Sequence, residues 1–178
     1  AEWLARKDKK LDFWTLFNRQ NGSKIRFSFN DLTVAPTKAS APELVDIKLT
    51  DFCPFGCDFC YQDSTLQGQH ASMDTIHNIV EKLKEAEVFE LAAGGGEVTL
   101  HPNFIEIVKL FKDNGIVFNF TTRNYNLFKS PHAHTILDNS GAIAFSIGSV
   151  DDLKKVQSAC IEAKHPKANL QQYQPSIN

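Results

Sequence analysis

The chain has 178 residues, enough for one core and short for two ordinary domains. Hydrophobic residues make up 42% and charged residues 22%, and the formal net charge is −2 without a Lys/Arg run, so no nucleic-acid footprint is evident. No apolar stretch approaches the ~20 residues of a membrane helix, and the charged opening AEWLARKDKKLDFW lacks a signal-peptide core, so a cytoplasmic protein is expected.

Residues 1–43 differ from the rest and are expected to form an N-terminal extension. Trp3, Phe13, Trp14 and Phe17 sit among charges and suggest a short helix that docks on a core elsewhere. SKIRFSFNDLTVAP then reads as two short strands around the turn pair Asn30-Asp31. The small-residue stretch TKASAPE marks a boundary before the main body, residues 44–178.

From Leu44 the pattern alternates between strands and helices. LVDIKL (44–49) is a strand that ends at a cysteine-rich loop, and Ser72 is placed to cap a helix carrying Ile76, Ile79, Val80 and Leu83 at helical spacing. FELAA (89–93) is an apolar strand running into Gly94-Gly95-Gly96-Glu97. Phe104, Ile107, Val108 and Phe111 form the next helical stripe, stopped by Asn114-Gly115. IVFNFTT (116–122) is the third strand, and Ser130-Pro131 reads as the start of a short helix ending near Gly141. AIAFSI (142–147) is the fourth strand. Asp151 opens a helix with Leu153, Val156, Cys160 and Ile161 on one face.

Four strand–helix units in succession imply a parallel α/β sheet, either open and doubly wound or part of a barrel. In both, ligands bind at the C-terminal ends of the strands. The cysteine loop, the glycine turn, the run Thr121-Thr122-Arg123-Asn124 and Ser146 all fall there.

The loop CPFGCDFC carries Cys53, Cys57 and Cys60 within eight residues, while Cys160 lies a hundred residues on. In a reducing compartment such a cluster binds metal or does redox chemistry rather than forming disulfides. Pro54 stiffens the loop, and Gly56 supplies a positive φ before the second cysteine. Three thiolates suit a cubane 4Fe–4S cluster, which takes one thiolate per iron and so keeps one iron open. A structural zinc ion is the alternative and needs a fourth ligand, either Cys160 or His70. Cys160 lies on an apolar helix stripe, where a free cysteine behaves as a small hydrophobe.

CPFGCDFCY resembles the signature loop of the radical S-adenosylmethionine (radical SAM) enzymes, C-x3-C-x-aromatic-C, with Phe59 in the aromatic position. GGGEVTLHPNF is similar to the Gly-Gly-Glu turn that ends the family's second strand, with Val98 in place of the usual proline. The resemblance covers residues 44 to about 150. It implies a partial (β/α) TIM-like barrel, here about four to five units plus the N-terminal extension, with a fifth strand beginning in the tail KHPKANLQQYQPSIN.

The resemblance also implies roles. Cys53, Cys57 and Cys60 would hold three irons, and the methionine part of SAM would chelate the fourth. One-electron cleavage of SAM would give a 5′-deoxyadenosyl radical that abstracts hydrogen from a substrate, with a peptide as the expected class. Gly94, Gly95, Gly96 and Glu97 would present backbone to the methionine ammonium. Phe59 and Tyr61 would pack near the adenine. Ser146 resembles a position that contacts SAM. Arg123 would pair with the SAM carboxylate and Asn124 would take part in the same contact, although TTRN departs from the family's Asn-Gly at this strand end. The expected partners are a flavodoxin- or ferredoxin-like electron donor and a second chain completing the barrel. The competing reading is a non-catalytic iron–sulfur or zinc-binding module, or a fragment acting with a partner chain. No individual catalytic residue is assigned.

Overall fold

The computed structural model of the chain describes residues 2–8, 10–30, 38–58 and 60–168. Three strands come first: β1 (Trp3–Asp8), β2 (Phe13–Asn18) and β3 (Lys24–Phe27), antiparallel in the order β1-β2-β3. The helix expected around Trp3 to Phe17 is therefore a β-hairpin. Its cause is a period of two in FWTLFN, where Phe13, Thr15 and Phe17 are buried and Trp14 and Leu16 alternate with them. Side-chain-capped turns close both connections. The Asp8 carboxylate accepts the N–H groups of Lys10 and Leu11, and Asn18 Oδ1 accepts those of Gln20 and Asn21. Of the two strands expected around Asn30-Asp31, the first is present as β3 and pairs with β2; the second falls on residues 31–37, outside the described residues.

The second sheet is parallel and consists of β4 (Leu44–Thr50), β5 (Glu90–Gly95), β6 (Val117–Thr122) and β7 (Ile143–Phe145). Its order β4-β5-β6-β7 follows the chain, so every crossover advances in the same direction. A doubly wound sheet reverses direction at a switch point; this one does not, and its winding is that of a barrel. The crossovers carry α1 (Met73–Glu85), α2 (Phe104–Asp113) and α3 (Ala133–Asn139), and α4 (Val150–Ala163) follows β7.

One-way winding puts the helices on one face of the sheet, and the core lies between them. Leu49, Leu91, Ala93, Phe118, Phe120 and Ile143 from the strands meet Ile76, Val80, Phe104, Ile107, Phe111, Leu137 and Val156 from the helices. The opposite face carries the alternate residues: Asp46, Ala92 and Asn119 stand in register across three strands. Ser72 caps α1 by accepting the Thr75 N–H, as its position predicts. Two details differ from expectation. Ser130 ends a 3-10 turn by bonding Leu127, so α3 starts later, after His132. On α4 Ile161 faces solvent, because Val156, Ala159, Cys160 and Ala163 form the buried stripe. No helix among the described residues is long and apolar enough to cross a membrane. The tail expected to start a fifth strand, from residue 169 on, lies outside the described residues.

The antiparallel sheet sits at the N-terminal ends of the parallel strands. Glu43, one residue before β4, is buried and receives Arg26 at 2.7 Å, Thr15 at 3.1 Å and Arg6 at 3.7 Å. Phe89, just before β5, stacks on Phe17 at 5.1 Å beneath the Arg6 guanidinium. Lys24 reaches Glu90 at 2.7 Å. The opposite end of the sheet is left for the cysteine loop.

Candidate active site

The cysteine loop leaves β4 at Thr50 and returns to α1 through a closed neck. Asp51 N–H bonds Gln69 O at 2.8 Å, Cys53 N–H bonds Thr65 O at 2.9 Å, and Ala71 N–H bonds Leu49 O at 3.0 Å. At the neck Gly68 lies against Asp51, where a Cβ would collide with the Asp51 carbonyl. Thr50 Oγ1 and His70 Nδ1 are 2.8 Å apart, and the His70 ring leans on Phe52 and His101. Burial and the neighbouring His101 push the His70 pKa down. This histidine is thus a strut of the neck. His101, buried beneath it, bonds Ala71 O through Nε2 and accepts the Asn103 N–H at the entry to α2.

Within the loop Gly56 has the expected positive φ of 54°, and Cys60 N–H bonds Cys57 O at 3.0 Å. Cys53, Cys57 and Cys60 are all reduced and partly exposed. Backbone N–H groups of Ser64 and Gln62, with a smaller contribution from Asp63, turn toward Cys60 and lower its thiol pKa. The Ser64 hydroxyl is buried beside them without a hydrogen-bond partner among the described residues. Among the described residues no three His, Cys, Asp or Glu side chains are grouped to hold a single metal ion. Cys160, the alternative fourth zinc ligand, is buried in the core on α4, where burial raises its thiol pKa.

The glycine turn at the end of β5 is pressed against the root of this loop. The β4–β5 register slips between Lys48 and Thr50, which brings Thr50 opposite Gly95. Gly96 N–H bonds Thr50 O at 2.7 Å and Glu97 N–H bonds Phe52 O at 2.8 Å. A Cβ on Gly95 or Gly96 would strike the carbonyls of Thr50 or Phe52, and Gly95 has a φ of 119° that side chains avoid. Gly94 differs, because a Cβ there would meet nothing among the described residues within 4 Å. Two of the three glycines admit the loop; the third is uncrowded by the described residues.

The Glu97 side chain, 3% exposed, ties the ends of β5 and β6 together. Its Oε1 accepts Thr122 Oγ1 and Thr99 Oγ1, both at 2.6 Å, and its Oε2 accepts the Arg123 N–H at 2.9 Å. Arg123 is thereby fixed at its backbone, and its guanidinium crosses to the cysteine loop, with Nη1 2.7 Å from Cys57 Sγ. Its Nη2 lies 3.9 Å from Asp152. Asn124 Nδ2 donates to Thr99 Oγ1 at 3.2 Å. Ser146 enters through its backbone, donating to Thr122 O and accepting from Tyr125 OH at 2.7 Å.

The cysteine loop, glycine turn, Glu97, Arg123 and Asn124 thus converge at the C-terminal ends of β4, β5 and β6. Tyr61 stands away from them at 89% exposure, and Phe59 lies outside the described residues. Sequence reasoning missed Thr99, Ser64, Tyr125 and Asp152. Thr99 has a signal, since it lies two residues after Glu97, whose carboxylate caps the 3-10 turn by accepting the Thr99 N–H at 3.2 Å; the others are brought in by the fold.

A one-way wound β/α sheet with a thiol loop at its C-terminal end defines a barrel-type enzyme of the iron–sulfur class. Residues 47–172 match the model of the radical SAM superfamily, and the chain belongs to that superfamily. Its cofactors are a 4Fe–4S cluster and S-adenosylmethionine. Among curated relatives, a GTP 3',8-cyclase from Psychromonas ingrahamii is 32% identical over 115 residues, 61% of this chain and 33% of that protein. A PqqA peptide cyclase from Bradyrhizobium diazoefficiens is 29% identical over 83 residues, 46% of this chain and 22% of that protein. The chain thus spans a third or less of the length of these relatives. Among solved structures, Streptococcus suis SuiB bound to S-adenosylmethionine superposes with a TM-score of 0.65 at 14% identity, covering 91% of this chain and 53% of SuiB. SuiB bound to precursor peptide SuiA gives 0.66 at 14% identity, covering 92% and 54%. At that identity the likeness is one of fold.

Proposed function

We propose that this chain is the SAM-cleaving β/α part of a radical SAM enzyme acting on a peptide, and that Cys53, Cys57 and Cys60 hold its cluster. The junction of cysteine loop and glycine turn carries the reading. A structural thiol site has no need for a second strand end welded to its root by Gly96 and Glu97 N–H bonds, with an open glycine beside it.

The residues present fit the cofactor pair. Three partly exposed thiols share one loop, N–H groups turned on Cys60 favour its thiolate, and the buried Ser64 hydroxyl is left to bond something beyond the described residues. When bound, the cluster and SAM supply one-electron cleavage of a carbon–sulfur bond and radical hydrogen abstraction. The chain's own residues position and shield. The open side of Gly94 leaves backbone accessible to an ammonium group. Asn124 and Ser146, just past the C-terminal ends of β6 and β7, would border the same space, and Phe59 and Tyr61 would close over an adenine. Arg123 has five N–H donors, so a carboxylate can share it with Cys57. Glu97 acts by holding two strand ends in place.

A peptide substrate is supported by two relatives, the one named a peptide cyclase and the one solved with a precursor peptide. The cluster would take its electron from a flavodoxin- or ferredoxin-like protein. Further strands, from a longer chain or a second one, would pair on β7, whose one neighbour among the described strands is β6.

The test is anaerobic reconstitution with iron and sulfide, reduction with dithionite, and chromatography for 5′-deoxyadenosine. The reading predicts SAM-dependent 5′-deoxyadenosine that disappears in Cys57→Ala. Protein that retains zinc, refuses a cluster and releases no 5′-deoxyadenosine would contradict it.

A further inference from the structure

The Arg123 guanidinium is built into its place from both sides. Its backbone N–H is taken by the buried Glu97 carboxylate, which is itself held by Thr99 and Thr122. Its side chain is a quarter exposed and reaches Cys57 Sγ at 2.7 Å, across 66 residues of sequence. Behind it stands Asp152, 14% exposed and 3.9 Å from Nη2. Asp152 is fixed in the first turn of α4, because its N–H bonds the N-cap Ser149 and its carboxylate accepts the Gly148 N–H at 3.2 Å. The result is a line of alternating charge, carboxylate to guanidinium to sulfur, running from α4 to the cysteine loop.

A cluster gains one negative charge on reduction, and cations or N–H donors at its thiolates stabilise that state. We infer that Arg123 tunes the reduction potential of the cluster held by the loop, and that Asp152 sets how much of its charge reaches Cys57. This inference rests on the proposed function above. It assigns Arg123 a positioning and electrostatic role that exists before SAM arrives, in addition to any contact with the SAM carboxylate. Reduction here adds one electron, with no bond made or broken.

The two side chains have opposite signs, so their removal must act in opposite directions. In Arg123→Gln the thiolate loses its cation, and the reduction equilibrium constant falls about tenfold, a midpoint about 59 mV more negative for one electron. In Asp152→Asn the guanidinium is no longer offset by a carboxylate, and the midpoint moves to the positive side. That second shift is roughly threefold, being smaller because Asp152 acts through the intervening guanidinium. Arg123→Lys keeps the charge without the fork and falls between wild type and Arg123→Gln.

The experiment is a dithionite redox titration of reconstituted full chain without SAM, read by the paramagnetic signal of the reduced cluster, with iron counted in every variant. Opposite shifts support the inference. Shifts of the same sign, or none in variants carrying a full cluster, overturn it. If Arg123→Gln fails to load iron, the Asp152→Asn titration alone decides, since an unchanged or more negative midpoint sinks the idea. A wild-type chain that binds no cluster would instead refute the proposed function, which keeps the two failures distinct.

Discussion

At the N-terminal end of the parallel sheet, Glu43 is sealed among Arg6, Arg26, Thr15 and Lys24, and Phe89 is stacked between Phe17 and Arg6. At the C-terminal end, three cysteines are partly exposed, and among the described residues nothing crowds Gly94 and the buried Ser64 hydroxyl has no partner. One end has its charges matched and its rings stacked, and it joins two sheets. The other presents partly exposed thiols and an accessible glycine backbone. In barrels the N-terminal end serves stability and the C-terminal end serves chemistry; here the buried ion pairs lie at the first end and the partly exposed thiol loop at the second.

The largest expected effect comes from the cysteines. Changing any of Cys53, Cys57 or Cys60 to Ala abolishes cluster incorporation, measured as bound iron and sulfide, while the thermal midpoint of the metal-free protein stays within a few degrees of wild type. A large fall in metal-free stability would show that the loop is structural and erase the contrast between the ends.

Glu43→Gln attacks the other end. Breaking a buried ion pair by removing one partner costs about 3 kcal/mol, because Arg6 and Arg26 lose their carboxylate. Burial alone would raise the Glu43 pKa, yet Arg26, Thr15 and Lys24 hold it below its ordinary value. Urea unfolding should show the loss, and the fraction that remains folded should still take up a cluster.

The glycines sharpen the comparison within the site. Gly95→Ala forces a Cβ into the Thr50 carbonyl at a φ of 119° and should destabilise by about 1–3 kcal/mol. Gly94→Ala meets no atom of the described residues, so stability should hold while SAM binding, followed by equilibrium dialysis on the reconstituted protein, weakens. Equal stability losses in both would mean that Gly94 is packing rather than a ligand face.

The smallest effect is the acid response of the antiparallel sheet. Burial would raise the Asp8 pKa, but N–H groups of Ser40, Leu11 and Lys10 bring it down to about 2 from 3.8. A depressed carboxylate stabilises the fold above its unfolded pKa, and that contribution is lost as pH falls from about 4 toward 2. Asp8→Asn should therefore cost about 1–2 kcal/mol at neutral pH and flatten the stability profile in that window. An unchanged acid limb would show that the turn at Asp8 is held by other contacts.

Much of this was legible in the sequence, for physical reasons that differ by region. The β/α succession has strong periods, and Phe104, Ile107, Val108 and Phe111 all turn up buried on α2. Ile161 misled because α4 buries Ala159 and Ala163, small residues with a weak apolar signal. The first hairpin was hidden because Asp8 builds its turn without a Gly or Pro and charges interrupt its alternation, whereas the next turn carries Asn21-Gly22, with Gly22 at a φ of 73°. At the site, spacing named the cysteines and the glycine turn. It had no means of showing that Gly95 and Gly96 admit the loop while Gly94 stays open, since that depends on the slipped register at Thr50. The Arg123–Cys57 contact joins two strand ends far apart in sequence, and only the fold supplies it.

The most direct test of the central claim is electron paramagnetic resonance on anaerobically reconstituted, dithionite-reduced protein, recorded with and without SAM. A reduced 4Fe–4S signal should change shape when SAM is added, because a cluster held by Cys53, Cys57 and Cys60 would keep one iron open to SAM. A full cluster signal indifferent to SAM would contradict it.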